Sequence, residues 1–266
     1  VKLGHELLIK GSSALDVVEA TVKVLEDNPL FNAGRGSALN SDGKVEMDAA
    51  IMDGRTLAAG AVSMVKKVKN PITLARKVMS NTKHVHIAGY GAEKLAELNS
   101  LEMMPEDYFI VERQINDLKE EKTYGHGTVG CVAVDANGNL ASATSTGGIS
   151  NSLPGRVGDS CMIGAGCYAN AQMAASCTGD GELIIINVIA HQVAALLEFK
   201  QLSLQEACDH VIRNIENPIN GEVGMISVNK LGHIAFSFNC DRMHRAGIDS
   251  EGNMTVAIYQ EGSLLK

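Results

Sequence analysis

The sequence predicts an α+β fold in which stacked β-sheets are covered by helices, because strand candidates cluster and strongly apolar helical segments lie between them. The clearest local signal is a hairpin. Two strand-like runs, residues 128–135 and 140–146, flank Asn137-Gly138, a dipeptide that favours tight hairpin turns. The length of 266 residues suits one large domain or two small ones.

The N-terminal half predicts alternating helices and strands. Ser12-Ser13 can cap a helix that runs to about residue 27, and Pro71 is well placed to begin another that runs to about residue 79. Three strands are expected at 45–52, 57–65 and 84–88, followed by a helix at 92–98. Residues 112–127 hold charged pairs and few large apolar side chains, which predicts a solvated helix or, near residue 127, a linker.

The C-terminal half predicts one strongly apolar helix and a late group of strands. Residues 181–200 are apolar nearly all round, which indicates a helix buried on both sides with His191 as a core histidine. No stretch is interpreted as long and apolar enough to cross a membrane, because polar side chains such as Asn187 interrupt the longest apolar run. A further helix and three strands are expected at 203–215, 224–229, 234–239 and 254–259.

Composition and charge argue against several classes of function. The formal net charge of −8 is unfavourable for nucleic acid or an anionic membrane as the main partner. The six cysteines form no C-x-x-C pair and no signal peptide is recognised, so free thiols in a reducing, cytoplasmic compartment are expected. The sequence contains neither zinc-ligand spacing nor a phosphate-binding loop.

Gly127-Thr128 is the point at which the sequence first indicates chemistry. Glycine permits a strained backbone, and the hydroxyl of Thr128 can attack the preceding carbonyl group. Cleavage there would leave Thr128 as a new N-terminus, with its hydroxyl as nucleophile and its α-amine as base. That amine would make the neighbouring His126 unnecessary as a base. The alternative is an ordinary junction between a loop and a strand.

The hairpin register predicts a neighbour for this hydroxyl. A two- or three-residue loop centred near residue 137 places Thr128 opposite Thr146 or Gly147. Directly opposed residues of an antiparallel pair lie about 5 Å apart. Thr146 is therefore expected beside Thr128.

Arg156 and Asp159 lie three residues apart in a segment rich in glycine. One interpretation is a local ion pair, which contributes little at a surface. The other is a site for an amino-acid zwitterion, since the arginine fork matches a carboxylate and aspartate accepts from an ammonium group. Both interpretations remain open on these residues alone.

The run Cys177-Thr178-Gly179-Asp180-Gly181 closes an apolar strand ahead of the apolar helix. A threonine hydroxyl, a glycine N–H and a helix N-terminus together can stabilise a developing oxyanion. A routine strand-to-helix turn is the alternative, in which Asp180 and Glu182 are acids favoured by the helix dipole.

In their order along the chain, these segments resemble the isoaspartyl peptidase/L-asparaginase family, the plant-type asparaginases among the N-terminal-nucleophile hydrolases. The resemblance covers essentially the whole chain and rests on several motifs rather than one. The remaining matching motifs begin at Asp27, Met47, Thr144 and Gly155, and read DNPLFNAGRG, MDAAIMDG, TSTGG and GRVGDS.

The resemblance implies a four-layer αββα sandwich formed by one domain over residues 1–266. It implies autocleavage into an α chain, residues 1–127, and a β chain, residues 128–266, which stay together and assemble as an (αβ)2 dimer. The family opens with a strand upstream of the residue that is Val1 here, so a natural N-terminal piece is expected to be missing, with an exposed sheet edge as the consequence.

The resemblance also assigns roles to individual residues. Thr128 would be the nucleophile and Thr146 would tune its hydroxyl, with Thr178 and Gly179 as the oxyanion hole. The substrate would be bound through its α-carboxylate and α-amine by Arg156, Asp159 and Gly181, with Asn32 near the nucleophile. No cofactor is expected beyond a possible structural sodium ion on the backbone carbonyls of Leu25, Asn28, Phe31, Ala33 and Arg35.

The implied reaction is hydrolysis of the β-amide of L-asparagine or of an isoaspartyl dipeptide through a β-aspartyl-threonine acyl-enzyme. Two alternatives remain from the sequence. One is an uncleaved, catalytically silent homologue, and the other is glycosylasparaginase, against which Gly127 counts because that family usually carries aspartate there. The sequence does not rank asparagine against isoaspartyl peptides.

Overall fold

A computed structural model of the chain describes residues 1–120 and 127–259. The fold is mixed α+β, as the sequence predicts. Its N-terminal elements are α1 (Lys2–Ile9), α2 (Ala14–Glu26), β1 (Met47–Asp53), β2 (Ala59–Val65), α3 (Pro71–Asn81), β3 (His86–Ala88), α4 (Gly89–Leu98) and α5 (Glu112–Lys119).

The C-terminal part of the chain contributes most of the strands. Its elements are β4 (Val129–Val134), β5 (Leu140–Thr146), β6 (Cys167–Ala169), β7 (Met173–Gly179), α6 (Gly181–Asn187), α7 (Ile189–Lys200), α8 (Leu204–Asn214), β8 (Val223–Asn229), β9 (Ile234–Phe238), β10 (Arg242–Ile248) and β11 (Met254–Tyr259).

Helix starts follow the local signals of the sequence. The Ser13 hydroxyl accepts a hydrogen bond from the Asp16 amide and so caps α2. Pro71 begins α3, where its missing N–H costs no intrahelical hydrogen bond. Ser203 and Glu206 form a reciprocal capping box at the start of α8. These caps explain why the predicted helices are found close to the predicted bounds.

The strands form three sheets in the described part of the chain. A five-stranded sheet has the order β3-β2-β1-β5-β4, a four-stranded sheet has the order β6-β7-β8-β9, and β10 pairs with β11. In the first sheet β1 lies between β2 and β5 and is antiparallel to both. The strand that follows Thr128, β4, therefore lies at an edge of this sheet, next to β5.

Buried apolar side chains fall into three clusters. The first packs α2 and α3 against the five-stranded sheet, the second fills the space between the two larger sheets, and the third packs α7 and α8 against the four-stranded sheet. Ala49 and Ile51 of β1 belong to the first cluster, and Ala50 and Met52 to the second. Because both faces of β1 are covered, its apolar residues form a continuous run rather than a strict alternation.

The apolar segment at 181–200 differs from the sequence-based prediction. It forms two helices, α6 and α7, separated at Val188, which has a left-handed backbone with φ of +47°. Ile186 is 63% exposed and Phe199 is 79% exposed, so the prediction of burial on both sides is wrong. Only one side of the segment packs against the four-stranded sheet and α8, and apolar composition could not indicate which side that would be.

By length and composition alone, the same segment is long and apolar enough to cross a membrane. Its mean hydropathy reaches 1.6 over an 18-residue window, and the sequence-based statement that no stretch qualifies is wrong by this criterion. In the fold, Leu183, Ile184 and Ile189 lie in the third apolar cluster.

Two strands, β6 and β10, are not predicted from the sequence. β6 has only three residues, and β10 is rich in charged side chains, so neither shows an apolar alternation. Residues 112–119 form the solvated helix that the sequence allowed, and the predicted linker lies mostly in 121–126, outside the described residues.

Glu26, the last residue of α2, is a fully buried carboxyl that joins three elements. Its Oε1 atom accepts hydrogen bonds from the Ile72 amide of α3 at 2.9 Å and from the Ser145 hydroxyl of β5 at 2.7 Å. Burial raises the pKa of Glu26 to about 8, although the hydrogen bonds from Ser145 and Ile72 act in the opposite direction. Glu26 is therefore largely protonated in the folded chain at neutral pH.

Replacing Glu26 with glutamine should reduce the pH dependence of stability. Between pH 4.5 and 8, folded Glu26 keeps a proton that the unfolded chain releases, so the free energy of unfolding falls as the pH rises. This group contributes up to about 1.4 kcal/mol per pH unit in that window. Glu26→Gln keeps the neutral form, and urea unfolding at pH 5 to 8 should show a correspondingly weaker decline.

Both proteins should carry Thr128→Ala, so that the chain stays intact during the comparison. Glu19→Gln, on the same helix but only partly buried, is the matched control and should decline with pH as the parent does. An unchanged pH slope in Glu26→Gln would contradict the assignment of a buried, protonated Glu26.

Candidate active site

The Gly127-Thr128 junction lies directly before β4 and against Asn32. Gly127 has φ of +154°, and a Cβ atom at this position would lie 2.6 Å from the Cβ atom of Asn32. The Asn32 amide donates a hydrogen bond of 3.2 Å to the carbonyl oxygen of Gly127. The junction therefore requires glycine both for its backbone conformation and for space, and its carbonyl group is held by a backbone donor.

The hydroxyl of Thr128 lies beside that of Thr146, as the hairpin register predicts. Val129 pairs with Ser145, which places Thr128 opposite Thr146 one residue further along. The Thr128 hydroxyl donates to Thr146 Oγ1 at 3.1 Å, and the same acceptor receives the Gly148 amide at 3.1 Å. The buried Thr146 hydroxyl thus fixes both the threonine side chain and the turn that follows β5.

Asn32 connects this junction to the loop after β5. Its side-chain amide donates to the Gly148 carbonyl oxygen at 2.7 Å, and its Oδ1 atom accepts from the Ala38 amide at 2.7 Å. Its backbone carbonyl accepts from the Gly147 amide at 3.0 Å. With every polar group engaged, Asn32 holds the loop over residues 31–38 against Gly127, where the sequence analysis expected it.

Arg156 lies next to this loop and is paired with Glu182. Its Nε and Nη2 atoms each donate to one oxygen of the Glu182 carboxylate at 2.8 Å. The local ion pair with Asp159 that the sequence allowed is replaced by this bidentate pair. The sequence indicates Glu182 only as an acid favoured by the helix dipole, because its position in the first turn of α6 is the one signal that it offers.

Asp159, three residues after Arg156, is buried. Its Oδ2 atom has no hydrogen-bond partner within the described part of the chain. Burial raises the pKa of Asp159 to about 7, partly opposed by the charge of Arg156 and reinforced by the charges of Asp48 and Glu182. Asp159 is thus a desolvated carboxyl whose Oδ2 atom lies against Gly166 and whose Oδ1 atom lies near Gly181.

Gly181 provides room between these two side chains. A Cβ atom at this position would lie 2.8 Å from Arg156 Nη2 and 3.0 Å from Asp159 Oδ1. On another side, the Cβ position of Gly148 lies 3.9 Å from Arg156 Nη1. The Gly148 amide is hydrogen-bonded to Thr146. The charged pair, Arg156 and Asp159, and the threonine pair, Thr128 and Thr146, are therefore parts of one site.

Thr178 and Gly179 end β7 at the same end of the stacked sheets. Within the stack, Ser142 of β5 donates to the carbonyl of Ala175, and Thr144 is hydrogen-bonded to Ser176 at 2.8 Å. The two stacked strands therefore run in the same direction here, so Thr146 at the end of β5 and Thr178 near the end of β7 lie at the same end of the sheets. Gly179 has φ of +126°, and a side chain there would collide with the Glu222 carbonyl.

The structure brings Thr178 and Gly179, the predicted oxyanion residues, to the end of the sheets at which Thr146 lies, without joining them to the threonine pair. Among the described residues, no hydrogen bond links Thr178 or Gly179 to Thr128. His126 lies outside the described residues. His191 is exposed and packs edge-on against Tyr168, so its prediction as a core histidine is wrong.

The loop after α2 gathers backbone carbonyl groups. A Cβ atom at Gly36, where φ is +101°, would lie 2.7 Å from the carbonyl oxygens of both Pro29 and Phe31. The carbonyl of Leu25 already accepts from the Asn28 amide, and that of Asn28 accepts from the Phe31 amide. No group of three or more His, Cys, Asp or Glu side chains suited to a metal occurs in the described ranges.

Comparison with known proteins gives a consistent result over this fold and site. The sequence profile of the Asparaginase family matches residues 1–126 and 120–258. The isoaspartyl peptidase of Escherichia coli (strain K12) is 42% identical, over 98% of this chain and 87% of that protein. A probable isoaspartyl peptidase/L-asparaginase 2 of Arabidopsis thaliana is 40% identical, over 98% of this chain and 90% of that protein.

An isoaspartyl peptidase/L-asparaginase of Bos taurus is 44% identical, over 91% of this chain and 82% of that protein. The profile covers nearly the whole chain, and these relatives align with most of it. The chain belongs to the asparaginase family. The resemblance inferred from the ordered sequence motifs is therefore confirmed.

Removing the Thr146 hydroxyl should destabilise the site. Thr146→Val keeps the shape of the side chain but leaves the Gly148 amide without its acceptor, which should cost about 1–3 kcal/mol of unfolding free energy. Thr146→Ser retains the hydroxyl and should cost about 1 kcal/mol or less, for one lost methyl group. Urea unfolding of both variants in the Thr128→Ala background measures the difference. A valine variant as stable as the serine variant would contradict this role.

Proposed function

We propose that this protein is an autoprocessed threonine hydrolase that cleaves the β-amide of L-asparagine and the β-linkage of isoaspartyl dipeptides. The observation that carries the proposal is the placement of the Thr128–Thr146 pair beside Arg156 and Asp159. The Thr146 hydroxyl accepts the Gly148 amide, and the Cβ position of Gly148 lies 3.9 Å from Arg156 Nη1, so the candidate nucleophile shares this region with a cationic and an anionic group that could bind a small zwitterion. The names of the relatives support the same reaction.

Maturation would begin with attack of the Thr128 hydroxyl on the Gly127 carbonyl carbon. The peptide C–N bond breaks, the nitrogen takes a proton to become the α-amine of Thr128, and an ester joins Gly127 to the threonine oxygen. Water then hydrolyses the ester, which frees the hydroxyl and leaves a carboxylate on Gly127. The Asn32 amide supports this reaction, because it already donates to the carbonyl oxygen on which charge develops.

Substrate binding would use the charged groups of Arg156 and Asp159. Arg156 binds the α-carboxylate of the substrate, Asp159 binds the α-ammonium group, and Gly181 leaves space between them. Glu182 occupies the Nε donor and one Nη2 donor in this structure, which leaves the Nη1 donors and the second Nη2 donor of Arg156 for the substrate carboxylate. An α-linked aspartyl peptide lacks the free α-carboxylate and should be a poor substrate.

Catalysis would proceed in two acyl-transfer steps. The Thr128 hydroxyl attacks the β-carbonyl carbon while its own α-amine, with a reference pKa of about 7.7–8.0, accepts the proton. Thr178 and the Gly179 amide stabilise the oxyanion, and ammonia or the peptide amine leaves with a proton. Water then hydrolyses the β-aspartyl ester, which releases aspartate and restores Thr128.

The proposal also includes the arrangement of layers, a bound sodium ion and a cytoplasmic location. The three apolar clusters support a four-layer αββα sandwich that forms a single domain. Pairing of the cleaved chains as an (αβ)2 dimer is proposed from the family resemblance. A structural sodium ion on the backbone carbonyls of Leu25, Asn28, Phe31, Ala33 and Arg35 is proposed from the resemblance, and of these carbonyls that of Phe31 converges with that of Pro29 at Gly36. A cytoplasmic location agrees with cysteines that are all free among the described residues.

Autocleavage is tested by the denatured mass of purified protein after incubation at 37 °C. The wild type should yield fragments of 127 and 139 residues, the latter being 266 − 127. Thr128→Ala should remain a single 28.1 kDa chain because it lacks the nucleophile, and Thr128→Ser should still cleave.

A wild-type protein that stays intact and hydrolyses neither asparagine nor an isoaspartyl dipeptide would overturn the proposal in favour of a silent homologue. Preference for an N-glycosylated asparagine over both substrates would instead indicate glycosylasparaginase.

Substrate binding should weaken as the pH falls through 7. Asp159 binds the substrate ammonium only when ionised, and burial raises its pKa to about 7. The KM for asparagine should therefore be lowest above pH 7 and rise towards about tenfold per pH unit well below it.

Asp159→Asn should raise the KM at every pH and remove this dependence. The α-amine of Thr128 affects kcat over a similar range, so the two parameters should be measured separately from pH 5.5 to 8.5. A wild-type KM that is constant over this range would contradict the role of Asp159.

A further inference from the structure

We infer that Glu46 and Asp48 are positioning residues that hold the segment 155–158, so that the guanidinium group of Arg156 faces the substrate site. The inference rests on the proposed function, because it assigns a task to Arg156. It adds two acids, from the strand region at the start of β1, that bind no substrate themselves.

Each acid holds one end of the segment that carries Arg156. Glu46 Oε2 accepts the Gly155 amide at 2.8 Å, and Asp48 Oδ2 accepts the Gly158 amide at 3.1 Å. The two acids are two residues apart, and both accept amides of the segment over residues 155–158. Arg156 lies between Gly155 and Gly158, whose amides are hydrogen-bonded to the two acids. The backbone of Arg156 is therefore held on both sides along the chain.

The Asp48 contact also supports the guanidinium group. A Cβ atom at Gly158 would lie 3.2 Å from Arg156 Nη1, which shows that the guanidinium group lies against the backbone of Gly158. Asp48 holds the amide of that same residue. A shift of Gly158 would therefore move the surface on which the charged group of Arg156 packs.

Asp48 ties this segment to the nucleophile as well. In the β1–β5 pairing Asp48 is the partner of Thr146, whose hydroxyl accepts from Thr128. The second oxygen of Asp48 accepts the Met64 amide of β2 at 3.0 Å. One buried carboxylate thus connects β2, β1 and the Arg156 segment in a fixed relation to the threonine pair.

An ionised carboxylate suits these two positions because both of its oxygens can accept hydrogen bonds. Each oxygen of Asp48 accepts one backbone amide, which suits an ionised carboxylate. In Asp48→Asn, one of those amides would face an NH2 donor and lose its partner. Glu46 is held by Lys66 at 3.1 Å and by the Asn40 side chain at 3.0 Å, so it is fixed from two further directions.

The test compares Asp48→Asn and Glu46→Gln with the wild type after maturation. We expect about a tenfold higher KM for L-asparagine in Asp48→Asn, about a threefold higher KM in Glu46→Gln, and a kcat within about threefold of wild type in both. Autocleavage should proceed, because it uses no substrate carboxylate. Asp135→Asn is the matched control, since Asp135 also accepts backbone amides but lies at the far end of β4.

Product inhibition separates positioning of Arg156 from general damage. The inhibition constant of L-aspartate should rise in parallel with the KM, and that of β-alanine, which lacks the α-carboxylate, should stay unchanged. Equal weakening of both inhibitors would overturn the inference, as would an unchanged KM in both variants of an active enzyme. If Asp48→Asn does not fold, Glu46→Gln decides. A wild type without hydrolase activity would instead overturn the proposed function itself, and this inference with it.

Discussion

The antiparallel pairing of β4 with β5 is the constraint on which the rest of the site depends. It places Thr128 opposite Thr146 and aligns the threonine pair with the Gly147-Gly148 turn. A slip of one residue would turn every side chain of β4 to the opposite face of the sheet. Gly130 lies against the Ser176 side chain of the second sheet, and a slip would bring a residue with a side chain to that place, so the register is strongly specified.

A second theme is the use of buried acids as structural acceptors. Glu26, Asp48 and Asp159 are all shielded from water, and burial raises the pKa of each. Glu26 and Asp48 receive backbone amides from neighbouring elements, which offsets part of their desolvation. One oxygen of Asp159, Oδ2, has no partner within the described residues, and the same is true of Glu26 Oε2. What distinguishes Asp159 is its position, since its Oδ1 atom and Arg156 Nη2 both lie close to the Cβ position of Gly181.

Local signals in the sequence were sufficient for much of the fold. Ser13 and Pro71 mark helix starts through capping and the missing N–H, and Asn137-Gly138 marks the hairpin turn. These effects act over a few residues, so they are visible without tertiary structure. The predicted neighbourhood of Thr128 and Thr146 follows in the same way, since a tight turn fixes the pairing of the strands that it joins.

The sequence by itself determined the fold class, the hairpin register and the family, because short-range geometry and ordered motifs carry that information. Only the tertiary structure decided that Arg156 pairs with Glu182, that Asp48 holds Gly158, and that the segment 181–200 breaks at Val188 with one side exposed. The physical reason is distance along the chain. Asp48 and Gly158 are 110 residues apart, and nothing local to either residue selects the other until the strands have paired and the sheets have packed.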